Sequence, residues 1–278
     1  GGYGVTAESE AAIRAHLGLD RPLVMQYMMW LGRTLKGDLG QTLLDEKDVA
    51  GVIRPKIGAS LQLGFAGWLF ATIVGIPLGI ISAVKRGSYW DYVARVIALI
   101  GQSAPAFWLG IVAVQIFAVQ LGWLPSGTRG IGDGFILGWD NLKYFVLPTI
   151  TLGWFAAAGY LRVTRSSMLD VLDSEFIKLA KAKGVSYRAV VWKHAFRNAL
   201  LQPLTVSSLV MAGLITGAVT VEVVFAWPGM GRLSIEAVNN NDFPVLTAAV
   251  LFWVVVFVSL NFITDLLYAF VDPRIKYS

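Results

Sequence analysis

Polar and mixed positions fill residues 1–58, and from there long apolar runs alternate with short polar breaks. Five runs, about 61–84, 93–121, 144–165, 201–225 and 245–270, are long enough to cross a bilayer core, which takes about twenty residues of helix. The third continues in helical character to Leu172. Between the third and fourth runs, residues 166–200 form a charged, helix-friendly insert that must stand in water beside the membrane. There Asp173 or Ser174 can cap a short helix, Glu175 suits its positive end, and Lys181 and Lys183 suit its negative end. Gly184 can turn left-handed past the last turn, and Ser186 can cap a second helix. Phe176, Leu179, Ala180 and Ala182 give the first helix an apolar side at three- and four-residue spacing. The pattern predicts an all-α polytopic membrane bundle with a helix, a glycine turn and a second helix on one surface. Two uses of that surface insert stay open: an amphipathic segment resting on anionic lipid, or a docking knob for a partner.

The first 58 residues carry seven basic and seven acidic side chains and are locally neutral. Ala7–Leu17 reads as a short helix, broken at Gly18-Leu19-Asp20-Arg21-Pro22 before a second helix through Leu35.

Composition agrees with the pattern. Hydrophobic residues make up 56% of the 278 and charged ones only 15%, with a mean hydropathy of +0.63, too apolar for a soluble domain. Cysteine is absent, which excludes disulfides and thiolate chemistry, and His16 and His194 stand in no ligand-like pattern. The net charge of +5 matters through its distribution. Lys85, Arg86, Arg95, the stretch from Arg162 to Arg197, Arg274 and Lys276 fall on one side of the predicted membrane, against Arg129, Lys143 and Arg232 on the other. The richer side is expected to be cytoplasmic.

Within the runs, Gly75-x-x-x-Gly79 and Gly213-x-x-x-Gly217 are spaced for close helix approach, or arise by chance in glycine-rich helices. Pro105, Pro148 and Pro203 can kink or start helices inside a bundle. Ionisable groups at depth are functional suspects because they are expensive there. Glu222, at the outer end of its run, reads equally as a solvated interfacial carboxylate or as a substrate contact, and Asp265 lies toward the opposite side. Trp227-Pro228-Gly229 is a turn with a large aromatic wedge, and Gly231 permits a second reversal. It reads either as a re-entrant loop or as a surface turn marking the interface.

Several segments share one likeness. Ala180-x-Ala182-x-Gly184 followed by His194-Ala195-Phe196-Arg197-Asn198-Ala199-Leu200 resembles the cytoplasmic coupling loop of ABC importer permeases. The version most similar is that of the dipeptide and oligopeptide permease family, in its B-type subunit. Lys178 stands at that motif's acidic position and Arg197 where a proline is usual. Glu222 through Leu233 with Asn241-Asp242-Phe243-Pro244-Val245 resembles the same family's extracytoplasmic signature. So do Lys36-Gly37-Asp38-Leu39-Gly40, Pro105-Ala106-Phe107-Trp108-Leu109-Gly110, Gly122-Trp123-Leu124-Pro125 and the ending Asp272-Pro273-Arg274-Ile275.

The resemblance implies a type I importer permease that forms half of a pore for di- or oligopeptides. It pairs with a second homologous permease, two ATPase subunits and an extracytoplasmic substrate-binding protein, in the inner membrane of a prokaryote. Ser174, Glu175, Phe176, Lys178, Leu179, Ala180, Ala182, Lys183 and Gly184 would contact the ATPase. Glu222, Phe225, Trp227, Pro228, Gly229, Gly231, Arg232 and Asp242 would line the outer path. No membrane-length run precedes residue 58 and the chain opens Gly-Gly-Tyr-Gly, so a first membrane helix is expected before residue 1. Residues 1–58 would then be an extracytoplasmic segment and 59–278 the permease domain.

No phosphate loop of the Gly-x-x-x-x-Gly-Lys-Ser/Thr type occurs, so ATP and magnesium are expected on the partners and no cofactor on this chain. No catalytic triad or metalloprotease run is present, so the chain is not expected to be an enzyme by itself. The basic loop lacks the aromatic interleaving suited to nucleic acid. Nickel chelates, glutathione, opines and oligosaccharides remain alternative cargoes of the same family, and an ion-driven secondary transporter or a non-transporting scaffold remain alternatives outside it.

Overall fold

The computed structural model describes residues 20–130 and 139–271. The predicted Ala7–Leu17 helix, His16 and the Asp272–Ile275 ending lie outside the described residues, as does the side chain of Asp265. Among the described residues the fold is helical, with one isolated antiparallel bridge between Gln41 and Asp48.

A short helix, α1 (Leu23–Thr34), is followed by α2 (Val49–Val84). The start of α2 lies well before residue 61, because Asp48 accepts from Gly51 N at 2.8 Å and caps a helix that runs on through Arg54 and Lys56. At about 1.5 Å per residue a 36-residue helix exceeds the bilayer core, so one end projects. After α2 come α3 (Tyr89–Ser103) and α4 (Ala106–Gln120), which meet at 107°. The run predicted as one span over 93–121 is therefore two helices. Pro105 drives its predecessor out of helical space, and Ala104 is extended at φ −90° and ψ 131°.

α5 (Trp139–Leu172) is continuous through Pro148. Then come α6 (Glu175–Ala182), α7 (Tyr187–Ala199), α8 (Leu201–Thr216), α9 (Val219–Val224), α10 (Met230–Asn239) and α11 (Phe243–Val271). The predicted 201–225 span also divides, since α8 stops at Thr216 and Glu222 belongs to the separate α9. Among the described residues three helices are long and apolar enough to cross a membrane, and α3 with α4 and α7 with α8 qualify as bent pairs.

The bundle is built on α2 packed along α5, with α3 on α5 and α8 between α2 and α11. Contact between α2 and α5 is close because Gly75 and Gly79 present no side chain. A Cβ at Gly75 would stand 2.7 Å from Tyr160 Cβ, and one at Gly79 would stand 2.7 Å from Thr164 Cβ. The Gly213-x-x-x-Gly217 spacing does different work: a Cβ at Gly213 would meet nothing within 4 Å, and Gly217 N donates to Gly213 O at 2.8 Å where α8 ends. Gly75→Val is expected to cost about 1–3 kcal/mol by overpacking, read as a lower unfolding temperature in detergent. Gly213→Ala, in open space, should leave that temperature nearly unchanged.

Candidate functional site

At one end of the bundle the chain turns back on itself between α9 and α10. Ala226 takes φ +48°, and Trp227 N donates to Glu222 O at 2.8 Å, which closes the turn. Trp227 is not an interfacial wedge on the surface. It is fully buried, donates from Nε1 to Ala59 O at 3.0 Å, and meets Phe145 edge-on with ring centroids 4.6 Å apart. Phe225 is also fully buried, and its carbonyl accepts from Thr128 N at 2.8 Å, drawing in the loop after α4. Trp227→Phe keeps most of the buried ring and removes the Ala59 bond, so a loss of about 1 kcal/mol is expected, measured by denaturation.

Glu222 is the centre of this turn. It is 0% exposed, so the solvated interfacial reading is corrected. A buried carboxylate is tolerable only when hydrogen bonds replace its water. Here Ser60 Oγ donates to Oε1 at 2.5 Å and Arg232 N donates to Oε2 at 3.0 Å. Ser60 Oγ in turn accepts from Met230 N at 2.7 Å. The first amides of a helix have no partner within it, and α10 opens on Gly229, which has no side chain to supply one. Glu222 and Ser60 supply the acceptors from α9 and α2 instead. A Cβ on Gly229 would collide with the carboxylate, and one on Gly231 would lie 3.0 Å from Oε2. Arg232 clamps the turn further, donating from Nη1 to Ala226 O at 2.9 Å and from Nε to Glu236 Oε1 at 2.7 Å.

Seven of the predicted outer residues thus gather in one turn: Glu222, Phe225, Trp227, Pro228, Gly229, Gly231 and Arg232. Asp242 stands apart at the start of α11. It is buried, and its Oδ1 accepts from Val245 N at 3.4 Å. Sequence reasoning missed Ser60, whose position in an apolar run gave no signal.

At the other end of α5, Leu172 leads through Asp173 and Ser174 into α6. Ser174 precedes the helix but does not cap it, because its Oγ donates back to Val171 O at 2.5 Å. Gly184 at φ +76° ends α6, with Val185 N donating to Ala180 O at 3.2 Å. The buried side of α6 is Ile177, 0% exposed, set among Ile80, Met168, Val190 and Ala195. Phe176 and Leu179, grouped by spacing as an apolar side, face outward and are exposed, as are Glu175, Lys178, Ala182, Lys183 and Gly184. Lys178 Nζ pairs with Glu175 Oε1 at 2.7 Å. Ile177, absent from the predicted set, fixes α6 to the bundle and leaves the predicted residues free to meet something else.

A carboxylate that the sequence reading passed over binds this region together. Asp91, 1% exposed, receives Arg165 through Nε at 2.9 Å and Nη2 at 3.1 Å, Ser82 Oγ at 2.6 Å and Gly87 N at 3.0 Å. Ser88-x-x-Asp91 has capping-box spacing, a signal that was available. The joint ties α2, α3 and α5 about three helical turns before α6. Midway along, the α3–α4 break opens a groove of ≈270 Å³ whose lining includes Gln102, Ser103, Pro105, Thr151 and Phe155. Arg162 Nη1 donates to Gln102 Oε1 at 3.1 Å beside it.

Comparison with known proteins fits this geometry. The chain is 39% identical over 294 residues to the dipeptide transport system permease protein DppB of Alkalihalophilus pseudofirmus, covering 99% of this chain and 88% of that protein. It is 38% identical over 265 residues to the glutathione transport system permease protein GsiC of Escherichia coli, covering 95% and 83%. Among solved structures, a chain of the MetNI methionine ABC transporter in an inward-facing conformation shares the fold, with a TM-score of 0.64 at 17% identity over 78% of this chain and 94% of that one. Residues 75–277 match the binding-protein-dependent transport system inner membrane component family. With a family match from Gly75 into the last residues and relatives aligned over nearly its whole length, this chain belongs to the binding-protein-dependent transport system inner membrane components.

Proposed function

We propose that the chain is one of two permease subunits of an ATP-driven importer for di- and oligopeptides. The observation that carries this reading is α5. One continuous helix bears Phe145 against the outer Trp227, Arg165 in the Asp91 joint, and Leu172 three residues before α6. At about 1.5 Å per residue it spans about 50 Å, so a displacement of α6 reaches the far turn through one rigid element.

In this reading the exposed face of α6 sits on an ATPase subunit, which binds ATP and magnesium. Closure of the ATPases moves α6 and α5, and the outer turn opens toward a substrate-binding protein. Nucleotide can shift the bundle between inward-open and outward-open states only through its differential affinity for them. The basic-rich end faces the cytoplasm of a prokaryotic cell, across its inner membrane. The exposed apolar side of α11, with Val254, Phe257, Val258 and Phe262, suits lipid and a second, homologous permease. The groove at the α3–α4 break offers neutral polar groups to cargo in transit. Glutathione is itself a tripeptide, so the two relatives' names fall within one chemical class.

The test is Ala180→Pro, which costs about 3 kcal/mol in a helix interior and breaks α6 locally. An ATPase subunit is expected to copurify from detergent with the parent chain and to be lost with the variant, together with uptake of labelled dipeptide. Recovery of the ATPase with both, or dipeptide uptake that needs an ion gradient and no ATP, would sink the proposal.

A further inference from the structure

A second groove, separate from the α3–α4 break, opens at the basic-rich end of α2. Its wall is apolar, made by Ile80, Ile81 and Val84 of α2 with Val191 and Trp192 of α7, and its volume is ≈140 Å³. Two cations line the same groove, Lys85 and Arg188. Lys85 lies over the Trp90 ring at 5.5 Å, and among the described residues neither cation has an acidic partner. Arg165 and Arg95, by contrast, share Asp91, and Arg86 pairs with Asp173 at 3.4 Å.

An apolar trough with two unpaired cations at its mouth is complementary to an amphipathic anion. Its place at the end of a membrane-length helix says which one. The wall belongs to the last turns of a membrane-length helix whose Ile73 and Ile81 are also exposed. The lining includes exposed Tyr187 and Trp192, and exposed Trp90 lies under Lys85, all of the residue types that gather where headgroups meet acyl chains. Basic pockets between membrane helices on the cytoplasmic side suit anionic headgroups.

We propose that this groove holds an anionic phospholipid, with an acyl chain along Ile80, Ile81 and Val84 and the phosphate between Lys85 and Arg188. The groove joins α2 to α7, the segment that also covers Ile177 of α6, so the lipid would brace the surface helices from the membrane side. The inference stands independently of the peptide cargo and of the ATPase contact.

The test uses the full chain, purified with its complex and reconstituted in nanodiscs. These carry a trace of phosphatidylglycerol with a photoactivatable acyl chain, and adducts are mapped by peptide mass spectrometry. Adducts are expected within residues 80–84 and 187–192. Unlabelled phosphatidylglycerol should compete them away, whereas phosphatidylcholine of the same chain length and free glycerol phosphate should not. Neutralising both cations, Lys85→Gln with Arg188→Gln, should weaken competition roughly thirtyfold at about 1.4 kcal/mol per decade and about 1 kcal/mol per basic residue. Arg188→Lys should restore most of the loss for that position. Both side chains are exposed, so the variants should keep the parent's unfolding temperature, which is checked alongside. Equal competition by phosphatidylcholine, competition by glycerol phosphate alone, labelling unchanged by the double variant, or crosslinks from this groove to another protein subunit in place of lipid would each overturn the proposal.

Discussion

Arg165→Met is expected to lower stability by about 3 kcal/mol, the lower end of what removing one partner of a buried ion pair costs. The lower end applies because Arg95 Nε, 3.4 Å from Asp91 Oδ1, remains as a partial counter-ion. The cost comes from leaving Asp91 buried with its two strongest donors gone, and it should shrink when the charge is removed as well. The double variant Asp91→Asn with Arg165→Met is therefore expected to be more stable than Arg165→Met alone. Thermal unfolding in detergent reads both. A single variant as stable as the parent, or a double variant whose cost is the sum of its parts, would show that the pair is not coupled. A functional arm follows from position. Asp91 and Ser82 belong to α3 and α2, and Arg165 lies ten residues before α6. Under the importer reading, loosening the joint should raise ATP hydrolysed per peptide transported more than it lowers hydrolysis itself.

The two ends of the molecule were legible in the sequence to different depths. The charged surface insert was readable because its signals are local: a charge gradient along eight residues, a glycine at the C′ position and a polar run between apolar ones. Which face of α6 is buried was not readable. Spacing alone favours Phe176 with Leu179 and Ala180, and only the wall of Ile80, Met168 and Val190 contributed by other segments selects Ile177. The long helices were found by hydropathy, yet their limits were not. Hydropathy discounted Arg54 and Lys56 at the start of α2, where Asp48 had already capped it. It also ran across Ala104-Pro105, where the steric demand of proline on its predecessor outweighs an apolar composition.

The buried carboxylates show the same limit from the other side. Their residue type can be read, but their partners come from far away in sequence: Ser60 lies 162 residues from Glu222, and Arg165 lies 74 from Asp91. Asp91 was hidden in a short polar break between apolar runs, and Glu222 was seen but left open between a solvated carboxylate and a substrate contact. Side chains of other helices supply most of the donors to Asp91, whereas a helix start supplies Arg232 N to Glu222, because unpaired first-turn amides are the acceptor-seeking groups that a folded helical bundle always has.

That argument carries the second large effect. Glu222→Leu keeps a buried side chain of similar bulk but strips the acceptors from Arg232 N and the Ser60 hydroxyl, at about 1–3 kcal/mol for each buried donor left unpaired. A loss of about 4 kcal/mol is expected by denaturation. Glu222→Gln retains one acceptor oxygen, but its amide turns an N–H toward donors, so its cost should fall between those of parent and leucine variant. Met230 N keeps Ser60 Oγ as acceptor in both, which predicts that α10 loosens at Gly231 and Arg232 first. Hydrogen exchange should then accelerate at those two amides while the amides of α5 stay protected. If the whole bundle exchanges faster instead, Glu222 holds the fold and not the turn. If neither variant changes exchange at Arg232, the carboxylate is not what closes this end of the bundle, and Arg232 with its bonds to Ala226 and Glu236 becomes the better candidate.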